Sequence, residues 1–204
     1  MKDYRNTNYC KPFENLKEKK EKIVEKIKRK HPKATNFYNH IKKNNCEYKD
    51  DFMEIYNNKC SYCGISKDLI FRKEHFQIDH YIAQTKCSSS EEANEIKNLV
   101  LACDICNKKK SDFDISSVYD DLYPDSEEIK KTFLRDNLYY IQISEEKKNN
   151  SVIKKFYDQL ELGGEIKRLD YFLMNLIRFK NQLHGIEYEL IGRIIDILKN
   201  KRNY

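Results

Sequence analysis

Two cysteine pairs frame the stretch of this chain whose residue types could do chemistry. They are Cys60-Ser61-Tyr62-Cys63 and Cys103-Asp104-Ile105-Cys106, separated by residues 64–102. Two intervening residues let both sulfurs of a pair point the same way. Two such pairs supply the four thiolates of a tetrahedral structural Zn2+ site, with Zn–S distances of about 2.3 Å. Gly64 directly follows Cys63 and suits the knuckle, because glycine takes positive φ without steric cost. A redox role for the pairs would need a thioredoxin-like βαβ setting, and the pattern shows none. Asp79-His80 and Asn98-Leu99 lie between the pairs, and Asn107, Lys108 and Lys110 follow the second. An imidazole is the side chain poised to take a proton from water near neutral pH. A carboxylate and an amide oxygen suit a hard divalent ion. His75, preceded by Glu74, is a rival base; His80 is preferred because it lies nearer the strand end and nearer Asn98.

The elements that must position these groups are legible around them. Phe76–His80 alternates apolar and polar residues and reads as a strand. Residues 98–102 form a short apolar run that reads as a second, more buried strand. Residues 84–97 bridge the two as a polar loop with a helical turn near 91–95. Asp104 is expected to cap a helix that starts at the second knuckle, with Asn107 in its first turn. The order is strand, loop, strand, helix, with zinc tying the entry to the helix.

This constellation, over about residues 58–112, resembles the HNH endonucleases of the ββα-metal superfamily. The resemblance rests on Cys60/Cys63, Asp79-His80, Asn98-Leu99, Cys103/Cys106, Asn107 and Lys110. It implies that His80 is the general base, that Asn98 braces the loop bearing it, and that Asp79 and Asn107 hold a catalytic Mg2+ or Mn2+. In that arrangement the His80 imidazole faces the Asn107 amide across the scissile phosphate, and cleavage leaves a 5′-phosphate and a 3′-hydroxyl. Three departures stand out: Asn107 replaces the usual final histidine, making an H-N-N variant; Ala83 replaces a common proline; and the loop lacks glycines. An amide oxygen in place of imidazole favours a hard ion. The implied substrate is DNA, with RNA as the variant, and Lys86, Lys108 and Lys110 are candidate phosphate contacts. A stand-alone nuclease with large flanks resembles restriction or phage-defence enzymes, including Septu-type systems in which the HNH subunit pairs with an ATPase subunit. Two other classes fit part of the pattern: a non-catalytic zinc-dependent nucleic-acid-binding module, and a scaffold whose zinc only nucleates a small fold.

Composition sets the wider frame. The chain has 204 residues, 35% of them charged, and a net charge of +6, mildly basic as suits a polyanion partner. Cys10, Cys46 and Cys87 remain outside the pairs and show no paired spacing. Metal-type spacing, an odd remainder and a polar N-terminus point to a reducing, cytoplasmic setting. No apolar run approaches a membrane span. The expected fold class is α+β, mostly α, with a ββα-metal core at 58–115, an N-terminal helical region at 1–57 and a mainly helical C-terminal region at 116–204. Residues 1–12 read as an irregular lead-in, and 13–30 as an amphipathic helix with Leu16, Ile23, Val24 and Ile27 on its seam. Further on, a helix should start at Asp125 with a capping box, a strand should run from Leu138 to Ile143, and Ser151 should cap a helix that Gly163-Gly164 stops. Two long apolar stripes follow, at 165–183 and 186–199, and read as core or subunit interface.

Overall fold

The structure, a computed structural model, describes residues 3–43, 46–69 and 75–202. Its centre is an antiparallel pair, β1 (Phe76–His80) and β2 (Leu99–Cys103), in register from Phe76 opposite Cys103 to His80 opposite Leu99. Every residue of β2 is buried, as its unbroken apolar run requires. α5 (Asp104–Lys110) leaves β2 without a loop. Its cap is Cys103 rather than Asp104: the Cys103 sulfur accepts from the Cys106 N–H at 3.5 Å. The Asp104 carboxylate takes the neighbouring Ile105 N–H and His75 instead. Between two 3-10 turns, at Gln84–Lys86 and Ile96–Asn98, the bridging segment carries one short α-helix, α4 (Ser90–Ala93), capped by Ser89, close to the expected turn.

The N-terminal part supplies α1 (Leu16–Lys30), α2 (Phe37–Ile41) and α3 (Glu47–Ile55). α1 packs on α3 and buries Leu16, Ile23 and Ile27, so its apolar seam faces the core. Lys20 is buried on the same face, its ammonium 2.5 Å from Asp125. The irregular lead-in runs beneath the first cysteine knuckle. Tyr4 donates to the Tyr62 carbonyl at 2.5 Å, and Arg5 donates to the carbonyls of Ser61 and Pro124, each at 2.7 Å. Asp3 neutralises that fully buried guanidinium at 2.8 Å. Gly64 has φ 79°, and a Cβ there would sit 2.6 Å from the Arg5 carbonyl oxygen, so the knuckle requires glycine twice over.

The C-terminal part holds α6 (Tyr119–Leu122), α7 (Ile129–Thr132), β3 (Phe133–Arg135), β4 (Ile141–Ile143), α8 (Ser151–Gln159), α9 (Glu165–Lys180) and α10 (Gly185–Arg202). The helix expected from Asp125 is only the short α7, because Phe133 continues into β3 and pairs with Ile143. The expected strand shortens to β4, since Leu138 and Tyr140 donate their N–H groups to Asp136 in a turn. Asn150, not Ser151, caps α8, accepting from Val152 and Ile153. The class is α+β with helix predominating, and buried apolar residues from Tyr4 to Ile195 form one core cluster. Among the described residues no helix is long and apolar enough to cross a membrane.

Candidate metal centre and active site

The four cysteine sulfurs converge. Sγ atoms of Cys60, Cys63, Cys103 and Cys106 lie within 4.8 Å of one another, and all four residues are buried. A tetrahedral ion with Zn–S bonds of about 2.3 Å needs sulfurs about 3.8 Å apart. Cys63 and Cys103 are 3.9 Å apart, so the cage fits zinc. Four thiolates around Zn2+ leave excess negative charge, and the Lys167 ammonium, buried 3.8 Å from the Cys106 sulfur, offsets part of it. Hydrogen bonds among the sulfurs, led by Cys103, together with the Lys167 charge, hold the Cys63 thiol well below the usual cysteine range against the effect of burial. The cage joins the first knuckle to the start of α5. A 2.7 Å bond from the Ser61 N–H to the Leu101 carbonyl pins the same knuckle to β2. A zinc ion held in this cage would fix α5 against the hairpin.

That placement lays one face of α5 across one face of β1. Alternate residues of a strand share a face, so Gln77 and Asp79 meet the helix. Asn107 donates its Nδ2 to Gln77 Oε1 at 2.6 Å. Lys110, one turn on, reaches Asp79 Oδ2 at 3.2 Å and donates to the His80 carbonyl at 3.0 Å. Tyr62 donates to the same Asp79 oxygen at 2.6 Å. Burial pushes the Asp79 carboxyl above its ordinary value, opposed by the Lys110 charge and the Tyr62 bond. Lys110 corrects the sequence reading: it was expected at a phosphate, yet its ammonium is fully buried and turned inward to a carboxylate. An Asp carboxylate and an Asn amide are oxygen donors of the right kind for Mg2+. The structure does not bring those two donors onto one point, because Asp79 turns to Tyr62 and Lys110 while Asn107 turns to Gln77.

His80 leaves the strand on the other side. Its Nε2 lies 3.1 Å from Asn94 Oδ1, and its ring packs at a 46° tilt against Tyr38 of α2, 4.3 Å between centroids. Lys42 lies 4.9 Å from the Tyr38 ring centre on its own side. The expected arrangement, with the imidazole facing the Asn107 amide, is therefore not the one present; successive strand residues point to opposite faces, and α5 covers only one of them. Asn94 spends its Nδ2 on the Ser90 carbonyl, 2.6 Å away, which can only accept. Its Oδ1 thus faces His80, so Nε2 carries the proton and Nδ1 keeps the basic lone pair. Burial lowers the His80 pKa, and the Lys110 and Lys42 charges add to that, while the Asn94 bond opposes it.

Asn98 is buried directly before β2. The Ile82 N–H donates to its Oδ1 at 2.8 Å, and its Nδ2 donates to the carbonyls of Ile82 at 3.0 Å and Ala93 at 2.9 Å. One side chain thereby clamps the loop that follows His80. His75 lies just outside β1, 2.7 Å from Asp104, and away from this group. Lys86 and Lys108 are exposed. Asn94, Tyr38 and Tyr62 are the neighbours that sequence reading missed. Tyr62 sits inside the first cysteine pair, and the polar Asn94 lies in the loop, but no spacing rule singles out either one.

A hairpin and helix joined at a four-cysteine cage, with Asp-His ending the first strand and Asn leading into the second, is the arrangement expected of the ββα-metal class. Residues 60–113 match the family model for HNH endonuclease, so the chain carries an HNH endonuclease domain. A relative at 33% identity over 69 residues is YoqL, an SPbeta prophage-derived protein of Bacillus subtilis (strain 168) named as an HNH endonuclease. That alignment covers 32% of this chain and 29% of the relative. No solved structure gives a significant match.

Proposed function

We propose that this protein is a metal-dependent endonuclease that hydrolyses DNA phosphodiester bonds, with His80 as the general base. The observation that carries the reading is the His80 imidazole held by Asn94 at the clamped end of the hairpin next to Asp79, with its pKa lowered by burial. A phosphodiester resists attack because it is anionic and water is a weak nucleophile; a positioned base removes the water proton in the transition state. Asp79 and Asn107 would hold the divalent ion, which supplies charge stabilisation to the phosphate and the leaving oxygen. For the two to share an ion, the Lys110 ammonium must release the Asp79 carboxylate and the Asn107 amide must leave Gln77. Asn98 keeps the following loop, and so the His80 backbone, in place. Exposed Lys86 and Lys108 are the phosphate contacts of this reading. A role in restriction or phage defence, with an ATPase subunit as partner, and a cytoplasmic location complete it by family analogy.

The test incubates the zinc-loaded protein with supercoiled plasmid, linear duplex DNA and single-stranded RNA, with Mg2+, with Mn2+ or with EDTA. The reading predicts metal-dependent nicking that leaves 5′-phosphate and 3′-hydroxyl ends. Cleavage of RNA alone would move the substrate to the variant class. Binding to DNA with no cleavage under any metal would leave a zinc-dependent binding module.

A further inference from the structure

The stretch from Lys26 to Lys43 holds seven of the 39 lysines and arginines and none of the 33 acids, so the rest of the chain sums to −1 and this stretch carries the whole positive balance. It comprises the end of α1, the connection and α2, and it folds into one region. The Lys28 ammonium lies 5.9 Å from the Phe37 ring centre, and the His31 and His40 rings lie 4.6 Å apart. Three of the seven cations are answered by acids: Lys26 reaches Asp51 at 2.6 Å, Lys30 reaches Glu47 at 2.6 Å and Arg29 reaches Glu25 at 4.0 Å. Lys28, Lys33, Lys42 and Lys43 are exposed, and among the described residues none of them has a carboxylate partner. α2 joins the region to His80. Phe37 and Ile41, four apart, are buried; Tyr38 and Lys42, also four apart, share the adjacent face. Tyr38 packs against the His80 ring, and the Lys42 ammonium sits 4.9 Å from the Tyr38 ring centre, so the cationic region borders His80.

We infer that this N-terminal region, outside the ββα core, holds the sugar-phosphate backbone of duplex DNA beside His80, with Lys42 as the contact nearest the imidazole and Lys33 and Lys43 extending the track. The inference takes its substrate from the endonuclease reading above. An unanswered positive surface recruits a polyanion. Each strand of a duplex carries a charge about every 3.4 Å, so a phosphodiester placed at His80 brings its neighbours against whatever surface borders that residue. Lys110, turned inward to Asp79, is one cation that the core does not offer to the backbone. An anionic bilayer fits the region poorly. A helix lying on a bilayer buries an exposed apolar face in it, and here no large apolar side chain of the stretch is exposed, because Phe37 and Ile41 are turned inward.

Fluorescence anisotropy with a labelled short duplex tests this, using the full-length, zinc-loaded chain with no other divalent ion, so that cleavage plays no part. Each phosphate contact adds about 0.9 to the slope of log affinity against log salt. Lys33→Gln with Lys42→Gln and Lys43→Gln should lower that slope by about 2–3 and weaken binding at least about fiftyfold near 0.1 M salt. The loss should be the same for unrelated sequences, because phosphates carry no sequence. Thermal unfolding should match the parent, since these ammonium groups have no carboxylate partner to lose. Lys131→Gln with Lys148→Gln and Lys154→Gln removes the same charge from exposed positions of the C-terminal part and should change the slope by less than about 1. A parent that does not bind duplex DNA, a slope unchanged by the first triple variant, or equal losses in both triple variants would overturn the inference. Binding that follows these expectations in a chain that cleaves nothing would uphold the surface and refute the endonuclease reading; plasmid cleavage with binding indifferent to the three lysines would do the reverse.

Discussion

Replacing Lys110 by methionine isolates the physical link between α5 and the Asp-His pair. The ammonium has no exposed surface and three oxygen neighbours: Asp79 Oδ2 at 3.2 Å, the His80 carbonyl at 3.0 Å and the Ser111 carbonyl at 3.3 Å. Methionine keeps the volume and removes the charge. It leaves the Asp79 carboxylate buried with Tyr62 as its remaining side-chain partner. Breaking a buried ion pair from one side costs about 3–5 kcal/mol. At about 2–4 °C per kcal/mol for a chain of this size, the melting temperature should fall by about 6–20 °C. Asp79→Asn in the same chain removes the stranded charge, so the double variant should regain much of the loss. The assay is thermal unfolding of all four proteins with zinc retained and no other divalent ion, read as a double-mutant cycle. A Lys110→Met protein melting within about 2 °C of the parent would refute the reasoning, given the 3–5 kcal/mol at stake. So would two single losses that simply add.

Asn98→Ala removes three hydrogen bonds from the loop after His80 and should cost about 2–4 kcal/mol, at roughly 1 kcal/mol each, measured by urea unfolding. A loss under about 0.5 kcal/mol would show that the loop holds without it. Because burial lowers the His80 pKa, its basic form persists to lower pH than that of an ordinary histidine and is lost on acidification. The acid limb of the cleavage rate should therefore have its midpoint below the ordinary histidine value of about 6.5, and a midpoint above about 7 would contradict it. Cys106→Ser should abolish zinc retention, measured by elemental analysis, and unfold the domain, since structural zinc contributes about 10–16 kcal/mol against a total stability of about 5–15 kcal/mol. A folded, zinc-free Cys106→Ser protein would contradict this.

The parts of the site legible in the sequence are those whose geometry is set by local spacing. Cys60/Cys63 and Cys103/Cys106 converge because two-residue knuckles leave few other options. Phe76–His80 is a strand because its alternation matches the pleat, and residues 99–103 pair with it because that run is apolar throughout. What could not be read are partners brought in by tertiary packing. Tyr38 reaches His80 from α2, and Asn94 reaches it from the loop, with no periodic signature. Lys110 looked like a surface charge at a helix end, but α5 packs on the hairpin so that it points inward to Asp79. Arg5 lay in a stretch that reads as irregular, and it is irregular. Its role comes from carbonyls of Ser61 and Pro124, far along the chain, that only the folded state gathers. The apolar stripe of α10 was readable as an interface or core pattern, and the fold decides which of its residues face out.

Single-turnover cleavage of supercoiled plasmid by His80→Ala tests the central claim most directly, run beside the parent and His75→Ala. The prediction is a loss of about 10^2–10^4-fold for His80→Ala, the usual contribution of a general base, with zinc content unchanged and His75→Ala near the parent rate. Undiminished cleavage by folded, zinc-loaded His80→Ala, or a loss confined to His75→Ala, would contradict it.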